Sequence, residues 1–296
     1  MAANLGVIGL GIMGGSIAAN LVKAGFDVAG YDVLADKVAA HRARGGRATG
    51  SVDEVVRHAE IVVTSLPSVA ALDRVADALV AAPRRGLIVV ECSTFPIEDK
   101  QRAHDRLAPA GITLLDCPLS GTGSQAVTKD LVVYASGARA AYDRCTAVFD
   151  GFARANYFLG AFGNGSKMKF VANLLVSIHN VATAEAFTLG MKAGLDPQQI
   201  LEVVGAGAGV SRVFQLRAPM MVADRYDEAT MKLDVWQKDL SIIGAFAAHL
   251  GCPTPLFSAA LPIYAAAMAQ GRASEDTAAV CAVLEEMARV ERPTPS

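Results

Sequence analysis

The amino-acid sequence predicts an α/β protein, with a doubly wound parallel sheet in its first half and an all-α second half. Up to about residue 160, short apolar runs alternate with segments of helical length. Several runs are continuous in Val, Ile and Leu, which is typical of strands covered on both faces in a parallel sheet. After Gly160 these runs stop, and long segments with helical spacing follow. This order of elements predicts a doubly wound domain followed by a helical one.

The expected elements follow one another along the chain. The strands are Leu5–Ile8, Asp27–Tyr31, Ile61–Leu66, Leu87–Glu91, Ile112–Asp116, Leu131–Ala135 and Tyr157–Leu159. The later helices include Gly165–Ala193, Pro197–Val204, Lys232–Leu250 and Ala273–Val290. Gly163 and Gly165 flank Asn164 just before the first of these helices, and paired glycines relax the backbone there. We therefore predict one domain over residues 1–163 and a second over residues 164–296.

The composition indicates a protein that handles a small molecule. Of the 296 residues, 52% are apolar and 19% are charged, and the formal net charge is −2. Acidic and basic residues are mixed without a Lys/Arg cluster, so nothing indicates nucleic acid or an anionic membrane as a partner. We also expect no apolar stretch long enough to cross a bilayer.

The cysteines and histidines predict neither a disulfide framework nor a metal site. The cysteines are scattered and show no CxxC spacing, which fits a reducing cytoplasm. The histidines lack paired ligand spacing. The residues concerned are Cys92, Cys117, Cys145, Cys252 and Cys281, and His41, His58, His104, His179 and His249.

A glycine pattern lies between the first strand and the first helix. The glycines of a GxGxxG motif allow a tight turn, a close backbone approach to a pyrophosphate and close packing of the helix on the sheet. The phosphates then lie at the positive end of that helix. The motif alone also fits a mere flexible turn. It consists of Gly9, Leu10, Gly11, Ile12, Met13 and Gly14.

Asp32 favours the dinucleotide interpretation. It ends the second strand 18 residues after Gly14, where a carboxylate can accept hydrogen bonds from both ribose hydroxyls of an adenosine. A carboxylate also repels a 2′-phosphate, and the next residue is Val33 rather than an arginine. The sequence therefore predicts NAD as the cofactor, with NADP less favoured.

Several ordered blocks extend over nearly the whole chain. They are GLGIMGGSIAANLVKAGF at 9–26, IVVTSLPS at 61–68, ECSTFP at 91–96, DCPLSG at 116–121, GNGSKMKFVAN at 163–173 and KDL at 238–240. In these blocks the chain resembles the β-hydroxyacid dehydrogenase family, which includes 3-hydroxyisobutyrate dehydrogenase, tartronate semialdehyde reductase and, more distantly, 6-phosphogluconate dehydrogenase. The resemblance implies a Rossmann-type domain joined by a long helix to an all-helical domain, an active site in the cleft between them, and a homodimer or homotetramer.

The resemblance also implies roles for particular residues. Two segments line the nicotinamide side of the cofactor, one loop holds the substrate carboxylate, and one lysine approaches the nicotinamide. Without the family context, each is equally an ordinary turn, loop or exposed ion pair. These residues are Leu66, Pro67, Ser93 and Thr94 for the nicotinamide, Ser120 and Gly121 for the carboxylate, and Lys238.

The stretch GNGSKMKFVANLL at 163–175 carries the candidate catalytic residues. Lys169 and Asn173 are four residues apart, so they share one face of a helix. Oxidation of an alcohol needs a base for the hydroxyl proton, and burial can lower a lysine pKa from about 10.4 so that its amine can serve. The resemblance assigns Lys169 as general acid/base and Asn173 as the residue that orients the substrate. The plain alternative is a lysine whose amine reaches solvent, which we expect for Lys167.

The carboxylate loop departs from the family pattern. Thr122 replaces a second glycine, Gln125 an alanine and Lys129 a late glycine. We interpret this as a changed substrate pocket, in which Thr122 and Gln125 bind a more hydroxylated acid than 3-hydroxyisobutyrate.

Together these observations predict an NAD-dependent dehydrogenase that moves a hydride between a short 3-hydroxy acid and NAD, with a lysine as general acid/base. An imine reductase of the same architecture is one alternative, although these enzymes typically lack the lysine. A non-catalytic dinucleotide-binding module is the other.

Overall fold

A computed structural model describes residues 4–82 and 84–292. The chain forms two compact units, Met1–Lys169 and Phe170–Ser296. The predicted boundary after residue 163 falls at the start of a long helix that runs from the first unit into the second, and it stays a prediction.

The first unit contains two sheets. Its strands are β1 (Asn4–Ile8), β2 (Asp27–Tyr31), β3 (Arg47–Ala48), β4 (Ile61–Thr64), β5 (Ile88–Glu91), β6 (Thr113–Asp116), β7 (Leu119–Ser120), β8 (Val132–Ala135) and β9 (Ala155–Phe158). The larger sheet has the order β3-β2-β1-β4-β5-β6, and all its pairs are parallel. This is the doubly wound order: β2 and β3 are added on one side of β1, and β4, β5 and β6 on the other, so the order of strands reverses between β1 and β4. The predicted Rossmann-type sheet is therefore confirmed.

Helices cover both faces of this sheet. They are α1 (Ile12–Lys23), α2 (Ala35–Ala43), α3 (Val52–His58), α4 (Val69–Ala81), α5 (Ile97–Leu107), α6 (Gly123–Val127) and α7 (Arg139–Phe152). Alternate strand residues pack into separate clusters on the two faces, with Val63 in one and Val62 in the other, both fully buried. Burial on both faces explains why the strand sequences are continuously apolar.

The last two predicted strands of this unit belong to a different sheet. β8 pairs with β7 antiparallel and with β9 parallel, outside the six-stranded sheet. Only Cys117 and Pro118 separate β6 from β7, and so short a connection cannot make the crossover that a parallel neighbour requires. β3 and β7 are two residues long, which is too short for a periodic signal in the sequence.

The second unit consists of helices. The long helix α8 (Asn164–Lys192) leads into α9 (Pro197–Gly205), α10 (Arg212–Ala223), α11 (Leu233–His249), α12 (Pro255–Ala269) and α13 (Val280–Ala288). Neither α10 nor α12 is among the predicted helices. Each contains an internal proline, Pro219 in α10 and Pro262 in α12. The predicted helix Ala273–Val290 begins later than expected, because the Asp276 side chain caps a 3-10 turn at Thr277–Ala279 that precedes α13.

Helix α8 corrects one expectation from the sequence. By length and composition it is apolar enough to cross a membrane, although 44% of the relevant window is buried inside the protein. The core helix of a soluble protein passes the same test, so this finding is weak evidence for a membrane.

Candidate active site

The glycine loop has the backbone shape that a dinucleotide site needs. Gly9 has φ of 87°, and a Cβ atom on Gly14 would lie 1.9 Å from the Gly9 carbonyl oxygen. Side chains at these two positions are therefore excluded. A Cβ atom on Gly11 would meet no atom within 4 Å, so open space adjoins the first turn of α1. That turn contains no acidic residue and no side-chain cap, which leaves its N–H groups for an anion.

A groove lies beside this loop, within the first unit. Its volume is about 400 Å³, and its lining includes Gly11, Ser16, Arg44 and Ser124. The helix dipole, the arginine and the hydroxyl groups all favour negative charge in this region. The residues present therefore fit the pyrophosphate of a dinucleotide.

Asp32 is fixed at the end of β2 by two backbone amides. Its Oδ2 accepts a hydrogen bond from Leu10 N at 2.7 Å, and its Oδ1 accepts one from Leu34 N at 2.9 Å. Each carboxylate oxygen has a second lone pair, so the group can still accept from ribose hydroxyls. Val33 is 83% exposed and brings no cation to this position.

The two segments predicted to line the nicotinamide are tied to each other. Leu66 N donates to Ser93 Oγ at 2.8 Å, and Ser93 N donates to Glu91 Oε1 at 2.9 Å. Ser93 is buried, whereas Thr94 is half-buried and Pro67 is exposed. The ends of β4 and β5 are therefore held together at the carboxyl edge of the sheet, where ligands bind in this fold.

The carboxylate loop folds around its own side chains. Thr122 and Gln125 form a capping box at the start of α6, and Gln125 Nε2 donates to Asp130 Oδ2 at 3.1 Å. The Gln125 amide thus supports the loop at both of its ends, and its role as a substrate ligand stays a prediction. Ser120 and the Thr122 hydroxyl are half-buried, and the latter lies 3.0 Å from Ser124 Oγ.

Lys129 occupies a strained position in this loop. It follows α6 with φ of 61°, in the left-handed region that favours glycine. A non-glycine residue pays about 1 kcal/mol or more there. The family's glycine at this position therefore has a backbone reason.

The carboxylate loop lies against the glycine loop. A Cβ atom on Gly123 would come within 2.5 Å of Ile12 Cγ2, and Asn20 Nδ2 of α1 donates to Ala126 O at 2.7 Å. Two of the predicted site segments therefore meet within the first unit.

Helix α8 carries Lys169 and Asn173 one turn apart, and both are buried, with exposures of 8% and 5%. Lys167 is exposed, as predicted, and its Nζ lies 3.2 Å from Asn164 Oδ1. Lys169 as a residue is therefore largely covered by protein, and its catalytic role stays a prediction.

Within the second unit, Asp239 orients Asn173. Asn173 Nδ2 donates to Asp239 Oδ2 at 2.8 Å, and Lys238 Nζ lies 2.9 Å from Asp239 Oδ1. Because the carboxylate takes the amide N–H, the Asn173 carbonyl oxygen is turned away from Asp239. Sequence analysis quoted the KDL block without giving Asp239 a role.

Sequence analysis also missed a buried ion cluster formed by Lys100, Glu91 and Asp116. All three side chains are fully buried in the first unit. Glu91 and Asp116 open two of the family blocks. Lys100 shares a helical face with the buried residues Ala103 and Leu107, and a charge on an apolar stripe is the signal that could have found it.

The cysteines take no part in this chemistry. All five are free thiols, and burial raises the pKa of Cys92 and Cys117 well above the usual range and that of Cys145 to about 12. These buried thiols stay protonated and unreactive. Within residues 4–82 and 84–292, no group of three or more His, Cys, Asp or Glu side chains could hold a metal.

Comparison with known proteins shows which family the chain belongs to. Residues 4–161 match the model of the NAD binding domain of 6-phosphogluconate dehydrogenase. Residues 163–284 match the model described as NAD-binding of NADP-dependent 3-hydroxyisobutyrate dehydrogenase. The chain belongs to the β-hydroxyacid dehydrogenase family. It is therefore an NAD-binding oxidoreductase of the class that acts on hydroxy acids.

Individual members of the β-hydroxyacid dehydrogenase family are similar over much of their length. L-threonate dehydrogenase of Cupriavidus necator is 34% identical over 206 residues, which cover 69% of each chain. The solved structure of Mycobacterium tuberculosis 3-hydroxyisobutyrate dehydrogenase with L-serine superposes with a TM-score of 0.87 at 28% identity, over 96% of this chain and 99% of that one. An imine reductase from Pseudomonas sp. superposes with a TM-score of 0.64 at 19% identity, over 95% of this chain and 98% of that one, and so shares the fold alone.

Replacing Asp32 by Ala should narrow the preference for NAD over NADP. Loss of charged hydrogen bonds of about 1.5–3 kcal/mol should raise the KM for NAD by about 10- to 100-fold, while NADP loses a repulsive neighbour. Asp36→Ala, which removes an exposed carboxylate from the same region, is the matched control. Unchanged discrimination in the Asp32 variant would show that another group distinguishes the cofactors.

Replacing Asp239 by Ala should lower kcat by about 10-fold or more, because the Asn173 amide loses a charge-assisted hydrogen bond of about 1.5–3 kcal/mol. Asp234→Ala removes an exposed carboxylate from the same helix and should leave kcat unchanged. Steady-state rates at saturating cofactor measure this effect. Equal rates for the two variants would contradict the orienting role.

Proposed function

We propose that this protein oxidises a short hydroxy acid with NAD as the electron acceptor, and that Lys169 is its general acid/base. The observation that carries the proposal is the burial of Lys169 and Asn173 on one helix, with the Asn173 amide held by Asp239. Their four-residue spacing places an amine and an amide on one face of α8, so that both can act on the same substrate oxygen.

Each residue has a defined task in this proposal. The Lys169 amine takes the proton of the substrate hydroxyl, and its ammonium returns a proton to the carbonyl oxygen in the reverse reaction. Asn173 orients that oxygen without adding charge. Ser120 and Gly121 hold the substrate carboxylate. The glycine loop and Asp32 would hold NAD, which would supply the acceptor for the hydride on the carbon that bears the hydroxyl.

The substrate in this proposal is a polyhydroxylated acid. The Thr122 and Ser124 hydroxyls lie on the loop assigned to the carboxylate and supply donors and acceptors for further hydroxyl groups. The similarity to L-threonate dehydrogenase supports the same class of substrate, because threonate is a hydroxylated short acid. We also propose a cytoplasmic homodimer or homotetramer, in keeping with the family.

The Lys169→Ala variant should lose about 10²- to 10⁴-fold in kcat, the usual contribution of general acid/base catalysis. NADH binding, measured by fluorescence titration, should change little. Lys167→Ala is the control, since it removes an exposed lysine from the same helix turn. The wild-type oxidation rate should rise with pH as the Lys169 amine loses its proton. An unchanged kcat in the Lys169 variant, or a flat wild-type profile from neutral to alkaline pH, would exclude Lys169 as the base.

A panel of short acids should distinguish the possible substrates when the rate for each acid is followed by nicotinamide absorbance. We expect kcat/KM to be higher for threonate and related sugar acids than for 3-hydroxyisobutyrate. A margin of about 10-fold corresponds to one additional hydrogen bond of about 1.4 kcal/mol. Activity confined to 3-hydroxyisobutyrate would contradict the polyhydroxylated class, and no activity on any acid would leave the non-catalytic module as the better interpretation.

A further inference from the structure

The first unit contains a fully buried cation that the reaction itself does not use. Lys100 Nζ, on α5, lies 2.6 Å from Glu91 Oε2 and 2.8 Å from Asp116 Oδ1. The Asp116 contact is aligned as a hydrogen bond, whereas the Glu91 contact is a close ion pair without that alignment. Glu91 and Asp116 are register partners at the ends of β5 and β6. Two carboxylates therefore lie side by side at the sheet edge, with one ammonium between them.

The Lys100 amine is held in its charged form by its two carboxylate neighbours. Burial alone would lower the pKa of Lys100, but the charges of Asp116 and Glu91 outweigh it and raise the pKa above its usual value. The thiols of Cys92 and Cys117 also lie near Lys100 and stay neutral, because burial raises their pKa.

One side of this cluster supports the nicotinamide segments. Glu91 Oε2 lies beside Lys100 Nζ, and Glu91 Oε1 accepts a hydrogen bond from Ser93 N at 2.9 Å. Ser93 Oγ in turn accepts from Leu66 N at 2.8 Å. Lys100 thus acts through one carboxylate on both segments that the family assigns to the nicotinamide.

The other side supports the first turn of α8. Asp116 Oδ2 accepts from Ser166 N, and Asp116 Oδ1 from Ser166 Oγ, both at 2.8 Å. Ser136 Oγ donates to Asp116 Oδ2 at 3.2 Å and accepts from Gly165 N at 2.9 Å. A carboxylate at this helix start complements the helix dipole. Lys169 lies three residues beyond Ser166, on the same helix.

Gly165 shows how closely this helix start is fitted. A Cβ atom there would lie 2.3 Å from Tyr134 O and 2.6 Å from Asp116 O. The first turn of α8 therefore lies directly on the ends of β6 and β8 and has little freedom to shift while the Asp116 contacts hold.

We propose that Lys100 is a positioning residue that sets the nicotinamide segments and the start of the catalytic helix in one fixed arrangement, through Glu91 and Asp116. This inference rests on the proposed role of Lys169. A buried ion pair is weak evidence for stability as such, since apolar residues of similar volume often do as well. Here each carboxylate also binds backbone amides of a different site segment, which an apolar replacement could not do.

The test replaces Lys100 by Met, which keeps the unbranched shape and most of the length of the side chain and removes its charge. We expect kcat to fall by about 10- to 100-fold, as for a misplacement of about 1 Å, and the KM for NAD to rise. Hydrogen exchange of the Leu66, Ser93, Gly165 and Ser166 amides should become faster. Ser93 and Ser166 donate to the two carboxylates that lose the cation, and Leu66 and Gly165 donate to serine hydroxyls next to those carboxylates in the network. The pH profile of kcat should also differ from that of the wild type, because the variant lacks the positive charge between two buried carboxylates.

Arg292→Met is the control for a purely structural role. Arg292 pairs with the buried Glu285 in the second unit. Its loss should lower Tm while kcat, the pH profile and the exchange of the four amides stay as in the wild type. The inference is overturned if Lys100→Met lowers Tm in the same way but keeps kcat within about twofold, a change of about 0.4 kcal/mol in barrier, or if the four amides keep their wild-type exchange.

The Ser166→Ala variant tests the same inference if the Lys100→Met variant does not fold. It removes one hydrogen bond to Asp116 and no charge, and should lower kcat without changing the KM for NAD, because only the helix side is affected. An unchanged kcat in this variant would overturn the positioning of α8. If the wild-type protein oxidises no hydroxy acid, the proposed function fails, and the exchange of the four amides still decides the role of Lys100.

Discussion

The parallel sheet imposes the constraint on which the site depends, because all its strands end at one edge. Asp32 follows β2, Ser93 follows β5 and Ser120 lies in β7 shortly after β6. Residues far apart in the chain therefore reach the same edge without any special folding of each loop. The sheet can do this only because both of its faces are buried under helices, so that its strands are fixed by packing as well as by hydrogen bonds.

The carboxylates at this edge differ in burial and in the groups that bind them. Asp32 is half-exposed and held by amides, which leaves it able to meet a ribose. Glu91 and Asp116 are fully buried and require a cation, since uncompensated charge in the interior costs several kcal/mol. Lys100 supplies it. Of these three carboxylates at strand ends, Asp32 therefore stays accessible, whereas Glu91 and Asp116 hold buried structure together.

Positions in the carboxylate loop differ in how strongly the structure constrains their side chains. Its Gly123 must stay small because Ile12 of the glycine loop lies against it. Lys129 shows that a residue other than glycine can occupy this left-handed backbone position at a modest cost in strain. Thr122 and Gln125 are used to cap α6. Two of the three departures from the family pattern, Thr122 and Gln125, therefore have a structural role in the loop.

The sequence by itself determined the parallel sheet, the glycine loop, Asp32 and the pairing of Lys169 with Asn173 on one helix, because each depends on local spacing or on a motif of adjacent residues. Only the tertiary structure decided that β7, β8 and β9 form a separate sheet, that Asp239 holds Asn173, and that Lys100 joins two strand ends. The side-chain contacts among these link residues 9 to 66 positions apart. No periodic pattern records which polar groups meet in the interior, since that depends on how the packed elements bring them together.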